Sequence, residues 1–322
     1  MSIAPPERLL IAIGGNAIHP THGLGTAAEQ FALAARTGRI LLPIMRRGLP
    51  LVITHGNGPV VGKILMRQAL TRTTIPPMSM DVCVAHSQGG IAYMLMQGLE
   101  NALRESGDPR HVVCLLTQVE VDADDPAFTQ PSKPVGNFYD AEEARDLEQT
   151  LGWTMREDAG RGYRYVVPSP RPRHIVDISL IDTVARSGAV VIAGGGGGIP
   201  VVRDARGVRR GVEAVIDKDL SSALMARVLG IDVMMILTAV DAVYLGFGTR
   251  EQRALHRASA AQLRAALAAG EFANGSMGPK VQAALEFIDN GGRRAVIAHL
   301  DDAERALRGE AGTQILAAEP RA

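Results

Sequence analysis

Six short runs of aliphatic and β-branched residues punctuate the chain: LLIAI (9–13), LVIT (51–54), HVVCLLTQV (111–119), VVIAG (190–194), VMMILT (233–238) and RAVIAHL (294–300). Each is apolar along its length rather than alternating, the pattern of strands covered on both faces of a parallel sheet. Between them, helical patterns run over 26–48, 59–71, 84–106, 174–187, 219–230, 259–269, 279–291 and 301–308. In 219–230, Leu220, Ala223, Leu224 and Val228 share one face, and Asp217 or Asp219 can cap the start. Strand and helix in alternation predict an α/β fold, a three-layer αβα sandwich around a mostly parallel open sheet.

One region breaks the rhythm. Residues 120–173 are rich in Pro, Asp, Gly and Arg, and a stretch of that length inside a compact domain is functional or folds on its own. It predicts an inserted lid subdomain with one helix, about 140–151, and a short hairpin, within a single domain spanning 1–322. Tyr139, Tyr163 and Tyr165 fall in this insertion and suit a miniature core.

Composition narrows the functional classes. The 34 acidic and 34 basic residues balance, which gives no electrostatic support for a nucleic-acid or anionic-membrane partner. No apolar run is long enough for a signal peptide or a membrane span. Cys83 and Cys114 lack metal-ligand spacing and suit reduced, buried thiols, so a soluble cytoplasmic protein is expected. His19 and His22, in HPTH, lack further ligands, and no protein metal site is expected.

The candidate chemistry lies at strand ends, where parallel sheets bind ligands. The first strand runs into Gly14-Gly15-Asn16, the second into His55-Gly56-Asn57-Gly58-Pro59, and the fourth into Gly194 to Pro200. Glycine lets successive N–H groups approach an anion, and helix N-termini behind such turns add partial positive charge. Three such turns point to phosphate. No G-x-x-x-x-G-K-[ST] P-loop is present, and the first turn lacks the Rossmann G-x-G-x-x-G.

Of the 34 basic residues only Lys63, Lys133, Lys218 and Lys280 are lysines. Lys133 sits between prolines in QPSKPVG, Lys218 between acids in IDKD, and Lys280 after glycine and proline in SMGPK. A lysine at a helix start opposes the macrodipole unless an anion faces it. A compact ammonium suits a migrating phosphoryl group, whose transfer needs positioning and charge neutralisation more than a nucleophile.

These motifs resemble the carbamate kinases of the amino-acid-kinase superfamily over nearly the whole chain, from LLIAIGGNAI and LVITHGNGPVVG through DPAFTQPSKPVGNFYD and GRGYRYVVPSPRP to GVEAVIDKDLSSALMA and FANGSMGPKVQAAL. The resemblance implies an eight-stranded αβα sandwich, a protruding subdomain, a homodimer, and reversible phosphoryl transfer between ATP and carbamate, with Mg²⁺ carried on the nucleotide. It implies that Gly14, Gly15, Asn16, Gly56, Asn57 and Gly58 hold carbamate and the transferred group, while Lys133 reaches in from the lid. Lys218 then stabilises the phosphoryl group and Asp217 orients the lysines. Thr238, Asp241, Tyr244, Met277 and Lys280 surround the nucleotide, and Gly196 and Gly197 of the third turn are assigned to it as well. Three positions depart from the family pattern: Lys63, where Asn is common and a solvated surface charge is expected, His86 and Ala239. A kinase of another small carboxylate, or a catalytically silent ligand sensor on this fold, are the alternatives. The retained lysines argue against the second.

Overall fold

Alternate residues of the strand Leu9–Ile13 enter two separate cores: Leu9, Ile11 and Ile13 one, Leu10 and Ala12 the other. All five are buried, which is why the run is apolar throughout. This is a computed structural model describing residues 4–20, 24–158, 160, 162–272 and 277–317.

In chain order, β1 (Leu9–Ile13) precedes α1 (Ala27–Met45), and β2 (Leu51–His55) precedes α2 (Gly58–Thr71) and α3 (Met80–Glu105). Then come β3 (Val112–Leu115), β4 (Gln118–Val121), β5 (Lys133–Tyr139), α4 (Ala141–Leu151), β6 (Met155–Glu157), β7 (Tyr163–Val167) and β8 (Pro172–Ile175). They are followed by α5 (Ile178–Arg186), β9 (Val190–Ala193), β10 (Ile199–Arg203), β11 (Arg209–Gly211), α6 (Lys218–Val228) and β12 (Val233–Thr238). The chain continues through β13 (Val243–Leu245), β14 (Arg253–Leu255), β15 (Arg257–Ser259), α7 (Ala260–Ala268) and α8 (Met277–Asp289). It finishes with β16 (Arg294–His299), α9 (Ala303–Leu307) and β17 (Thr313–Leu316).

The main sheet has eight strands in the order β15-β17-β16-β12-β1-β2-β9-β3, parallel except where β16 meets β17. Leu41 of α1, Leu95 of α3 and Leu307 of α9 pack on one face, with Leu9, Ile53 and Met235 of the sheet. Ile181 of α5, Met225 of α6, Leu263 of α7 and Val281 of α8 pack on the other, with Leu10, Val52 and Met234. The sandwich is therefore three-layered.

The run 111–119 is two strands rather than one. β3 closes the main sheet, while β4 joins a second sheet of order β11-β10-β4-β8. The break falls at Thr117, whose N–H donates to Gln88 Oε1 at 2.9 Å and whose hydroxyl accepts from Gly194 N at 2.9 Å. Those side-chain partners replace a ladder.

Residues 133–167 form a separate three-stranded sheet, β5-β7-β6, with α4 on it. Ala144, Leu147 and Met155 form its core together with Ala69 of α2, covered by Tyr139, Tyr163, Tyr165 and Trp153, whose ring stacks on Tyr165 at 4.5 Å. Asp140 caps α4 by accepting from Glu142 N and Glu143 N, and Gly152 ends the helix at φ 66°. Lys133 pairs with Val167 at the base of this sheet, while Tyr139 and Tyr163 pair at its other end. Next to that base, Val215 N donates to Pro168 O at 3.0 Å. The small sheet also rests on α2: a Cβ at Gly62 would lie 2.5 Å from the Gly136 Cα, and Gly136 has φ 74°. Only glycine permits that contact on both sides.

Candidate active site

The first two glycine turns touch. Gly56 N donates to Ile13 O at 3.0 Å, and Gly14 N donates to Leu237 O at 2.9 Å, so each turn continues the ladder beyond its strand. A Cβ at Gly56 would lie 3.1 Å from Gly15 N, which brings Gly14, Gly15 and the Asn16 backbone beside Gly56, Asn57 and Gly58. Behind them α2 begins with no side-chain cap, and nothing lies within 4 Å of the open side of Gly58. Uncapped N–H groups at a helix start are an anion site.

The third turn packs behind the second. Gly194, Gly196, Gly197 and Gly198 all have positive φ, and Gly195 to Gly197 are buried. A Cβ on Gly196 would collide with the Asn57 carboxamide, and one on Gly197 with Ile216 O. Gly195 and Gly196 back the second turn at His55 and Asn57 while Gly197 backs Ile216, and neither Gly196 nor Gly197 lines the aromatic cavity described below. Gln88 holds the buttress by donating from Nε2 to Gly195 O at 2.9 Å, and Asn57 Nδ2 donates to Ser87 Oγ at 2.9 Å. His55 is fully buried against Gly195, and burial pushes its imidazole down to about 4, so it is neutral at physiological pH.

Across from these turns, α6 and α8 present the lysines. Asp217 is the N-cap of α6: Oδ1 accepts from Asp219 N at 2.9 Å and Leu220 N at 3.3 Å. Its other oxygen accepts from Lys133 Nζ at 2.9 Å. Asp219, 3% exposed, lies between two ammonium groups, with Lys218 Nζ 2.6 Å from one oxygen and Lys280 Nζ 3.3 Å from the other. Burial opposes the charge on Asp219, but Lys218 and then Lys280 outweigh it and hold the carboxyl at about 2. The Lys218 contact with Asp219 is an ion contact without hydrogen-bond alignment, so the buried Nζ keeps its donors uncommitted. Three ammonium groups on two carboxylates leave one net positive charge. That arrangement suits a phosphoryl group.

Lys280 also borders a cavity of ≈ 180 Å³ at the carboxyl end of β12, with Thr238, Tyr244, Phe247, Phe272 and Met277 on its walls. Asp241 is not on the wall, but it fixes Tyr244 by accepting from the phenol at 2.8 and 3.0 Å. Glu271 stands at the wall and accepts from Gly246 N at 2.9 Å.

Sequence reasoning singled out all three lysines and Asp217 but gave Asp219 only a capping role. The signal was there in the acids flanking Lys218. The buttress of His55, Ser87, Gln88 and Thr117 had no local signal, since its partners come from distant segments. Lys63 is not a free surface charge: its Nζ donates to the carbonyls of Leu24 and Gly25, tying down the segment after β1. His86 is exposed on α3. His19 Nδ1 lies 3.0 Å from Pro20 O, while His22 falls outside the described residues.

A mostly parallel αβα sandwich with glycine turns facing clustered lysines defines a small-molecule kinase, and the amino acid kinase family profile matches residues 7–299. Carbamate kinase of Pyrococcus horikoshii is 47% identical over 96% of this chain and 99% of its own length. Carbamate kinase of Staphylococcus epidermidis is 42% identical, again over 96% and 99%. The solved structure of carbamate kinase from Giardia lamblia bound to AMP-PNP superposes with TM-score 0.89 at 40% identity, covering 96% of this chain and 98% of that one. The chain belongs to the carbamate kinases of the amino acid kinase family.

Proposed function

We propose that this chain moves a phosphoryl group reversibly between ATP and carbamate, giving ADP and carbamoyl phosphate, and that it runs towards ATP in catabolism. The observation that carries the residue roles is the gathering of Lys133, Lys218 and Lys280 on Asp217 and Asp219. Lys133 and Lys218 neutralise the transferring group, and Lys280 neutralises the nucleotide phosphates beside the aromatic cavity. At about 4 Å and an effective dielectric near 20, one such ammonium contributes roughly 4 kcal/mol. The N–H groups of Gly14 to Asn16 and Gly56 to Gly58, with the start of α2, orient carbamate for in-line attack. The base occupies the cavity of Tyr244, Phe247 and Met277, whose aromatic walls beside Lys280 suit a stacked ring, and the Giardia relative is one that binds AMP-PNP.

Magnesium carried on the nucleotide would supply charge neutralisation at its phosphates. The protein groups fit that division: Asp217 and Asp219 already face N–H and ammonium groups. The sheet of 133–167, nested in the 120–173 insertion of a single domain, acts as a lid. Closing it excludes water, which matters because carbamoyl phosphate is an acyl phosphate that hydrolyses. The same mixed-anhydride chemistry favours transfer to ADP.

No helix among the described residues is long and apolar enough to cross a membrane. The proposed reaction takes place in the cytoplasm, where the nucleotides are. A homodimer is supported by Tyr93 of α3, 58% exposed, and Leu116, 64% exposed beside the edge strand β3. Light scattering on purified protein tests that assembly. The activity is tested by mixing protein, Mg²⁺, ADP and carbamoyl phosphate and measuring ATP. ATP above a buffer control is the expected result, and its absence overturns the reading.

A further inference from the structure

A second cleft, of ≈ 230 Å³, opens between α6, the end of α8 and the start of β8. Leu220 and Leu224 of α6 form its floor, and Arg171, Arg173 and Arg227 stand around it, with Glu286 opposite. Arg171 and Arg173 flank Pro172, which locks the backbone, and residues two apart in an extended segment project to the same side. Arg227 comes from the last turn of α6.

The three guanidinium groups are unequally engaged. Arg171 Nη2 donates to Glu286 Oε1 at 2.6 Å, and Arg173 Nη2 reaches Asp122 Oδ2 only at 3.5 Å. Arg227 makes no side-chain hydrogen bond or ion pair among the described residues. The helix macrodipole accounts for a basic residue in that last turn. It does not account for two further arginines converging on it from a different segment. Glu286 is the one acid on the wall, and with Asp122 beside Arg173 counted as well, three positive charges against two leave one facing the cleft.

We propose that this cleft binds a compact polyanion of the phosphate class, about the size of pyrophosphate. Forked guanidinium groups match phosphate oxygens in pairs, and uneven pairing leaves donors ready. The site is distinct from the lysine cluster: none of Lys133, Lys218 and Lys280 is on its walls, and Arg227 lies nine residues along α6 from Lys218, about 14 Å at the helical rise.

Calorimetric titration with pyrophosphate in magnesium-free buffer tests this on three proteins: wild type, Arg173→Gln/Arg227→Gln and Lys218→Ala. Wild type is expected to show two binding events. The double arginine variant loses one of them, with affinity at least ten-fold weaker, while its ATP-forming rate without pyrophosphate stays within two-fold of wild type and so reports an intact fold. Lys218→Ala retains the cleft event and weakens the other. The proposal is overturned if the double arginine variant titrates like wild type, or if Lys218→Ala abolishes all binding.

Discussion

Lys133 and Asp217, 84 positions apart in the chain, meet in a 2.9 Å ion pair that joins the small sheet to the cap of α6. One carboxylate thus both starts a helix and seats a lysine from another sheet. The two duties can be separated by substitution.

Asp217→Asn keeps a competent N-cap, because asparagine caps about as well as aspartate, but removes the charge that holds Lys133. Its melting temperature is expected to stay close to wild type, whereas kcat for ATP formation falls by about ten-fold or more. Lys133→Ala is expected to lose more, about a hundred-fold or beyond, with ADP affinity preserved. Steady-state kinetics beside thermal melts checks both. A melt depressed in proportion to activity would assign Lys133 a structural role instead.

Asp219→Leu leaves Lys218 and Lys280 facing each other without the carboxylate between them. Removing one partner from a buried ionic cluster costs about 3–5 kcal/mol. Urea unfolding is expected to show a loss of that order at neutral pH. A change below about 1 kcal/mol would mean the ammonium groups find other partners.

Gly62→Ala places a methyl group 2.5 Å from the Gly136 backbone. Since Gly136 is three residues from Lys133 on β5, the clash displaces the lysine as well as the strand. The variant is expected to fold, with kcat reduced roughly ten- to a hundred-fold, the range expected from misplacement by about 1 Å. Kinetics equal to wild type would show that the small sheet moves without carrying Lys133.

His55 sets a pH window. Its folded pKa, near 4, lies below the ordinary value of 6.5, so between these limits the unfolded chain takes up a proton that the folded chain refuses. Stability is therefore complete above pH 6.5 and falls as pH drops towards 4. Asp219, held near 2, contributes stability that is lost at lower pH, below its ordinary value of 3.8. Calorimetric melts from pH 7 to 4 are expected to slope downward for wild type and less steeply for His55→Asn. An NMR titration placing His55 near 6.5 would contradict this assignment.

The sheet interior was readable because β1, β2, β9, β12 and β16 are buried on both sides and write that burial into unbroken apolar runs. β15 and β17 were not, since strands of three and four residues carry too little periodicity to separate from loop. At the site, Lys133 and Lys280 stood out against an arginine-rich background. The depth of Asp219 did not, because its burial depends on α6 and α8 packing together. Gly194 to Gly198 read as a ligand loop, and the contact of Gly196 with Asn57 is one that no local pattern encodes.

The pairing of Lys133 with Val167 has a mechanical consequence. The lysine sits where the small sheet joins the body, beside the Val215 to Pro168 bond, and not at the far end that holds Tyr139 and Tyr163. A lever moves least next to its fulcrum. In the proposed lid, displacement is therefore smallest at the ammonium group over Asp217.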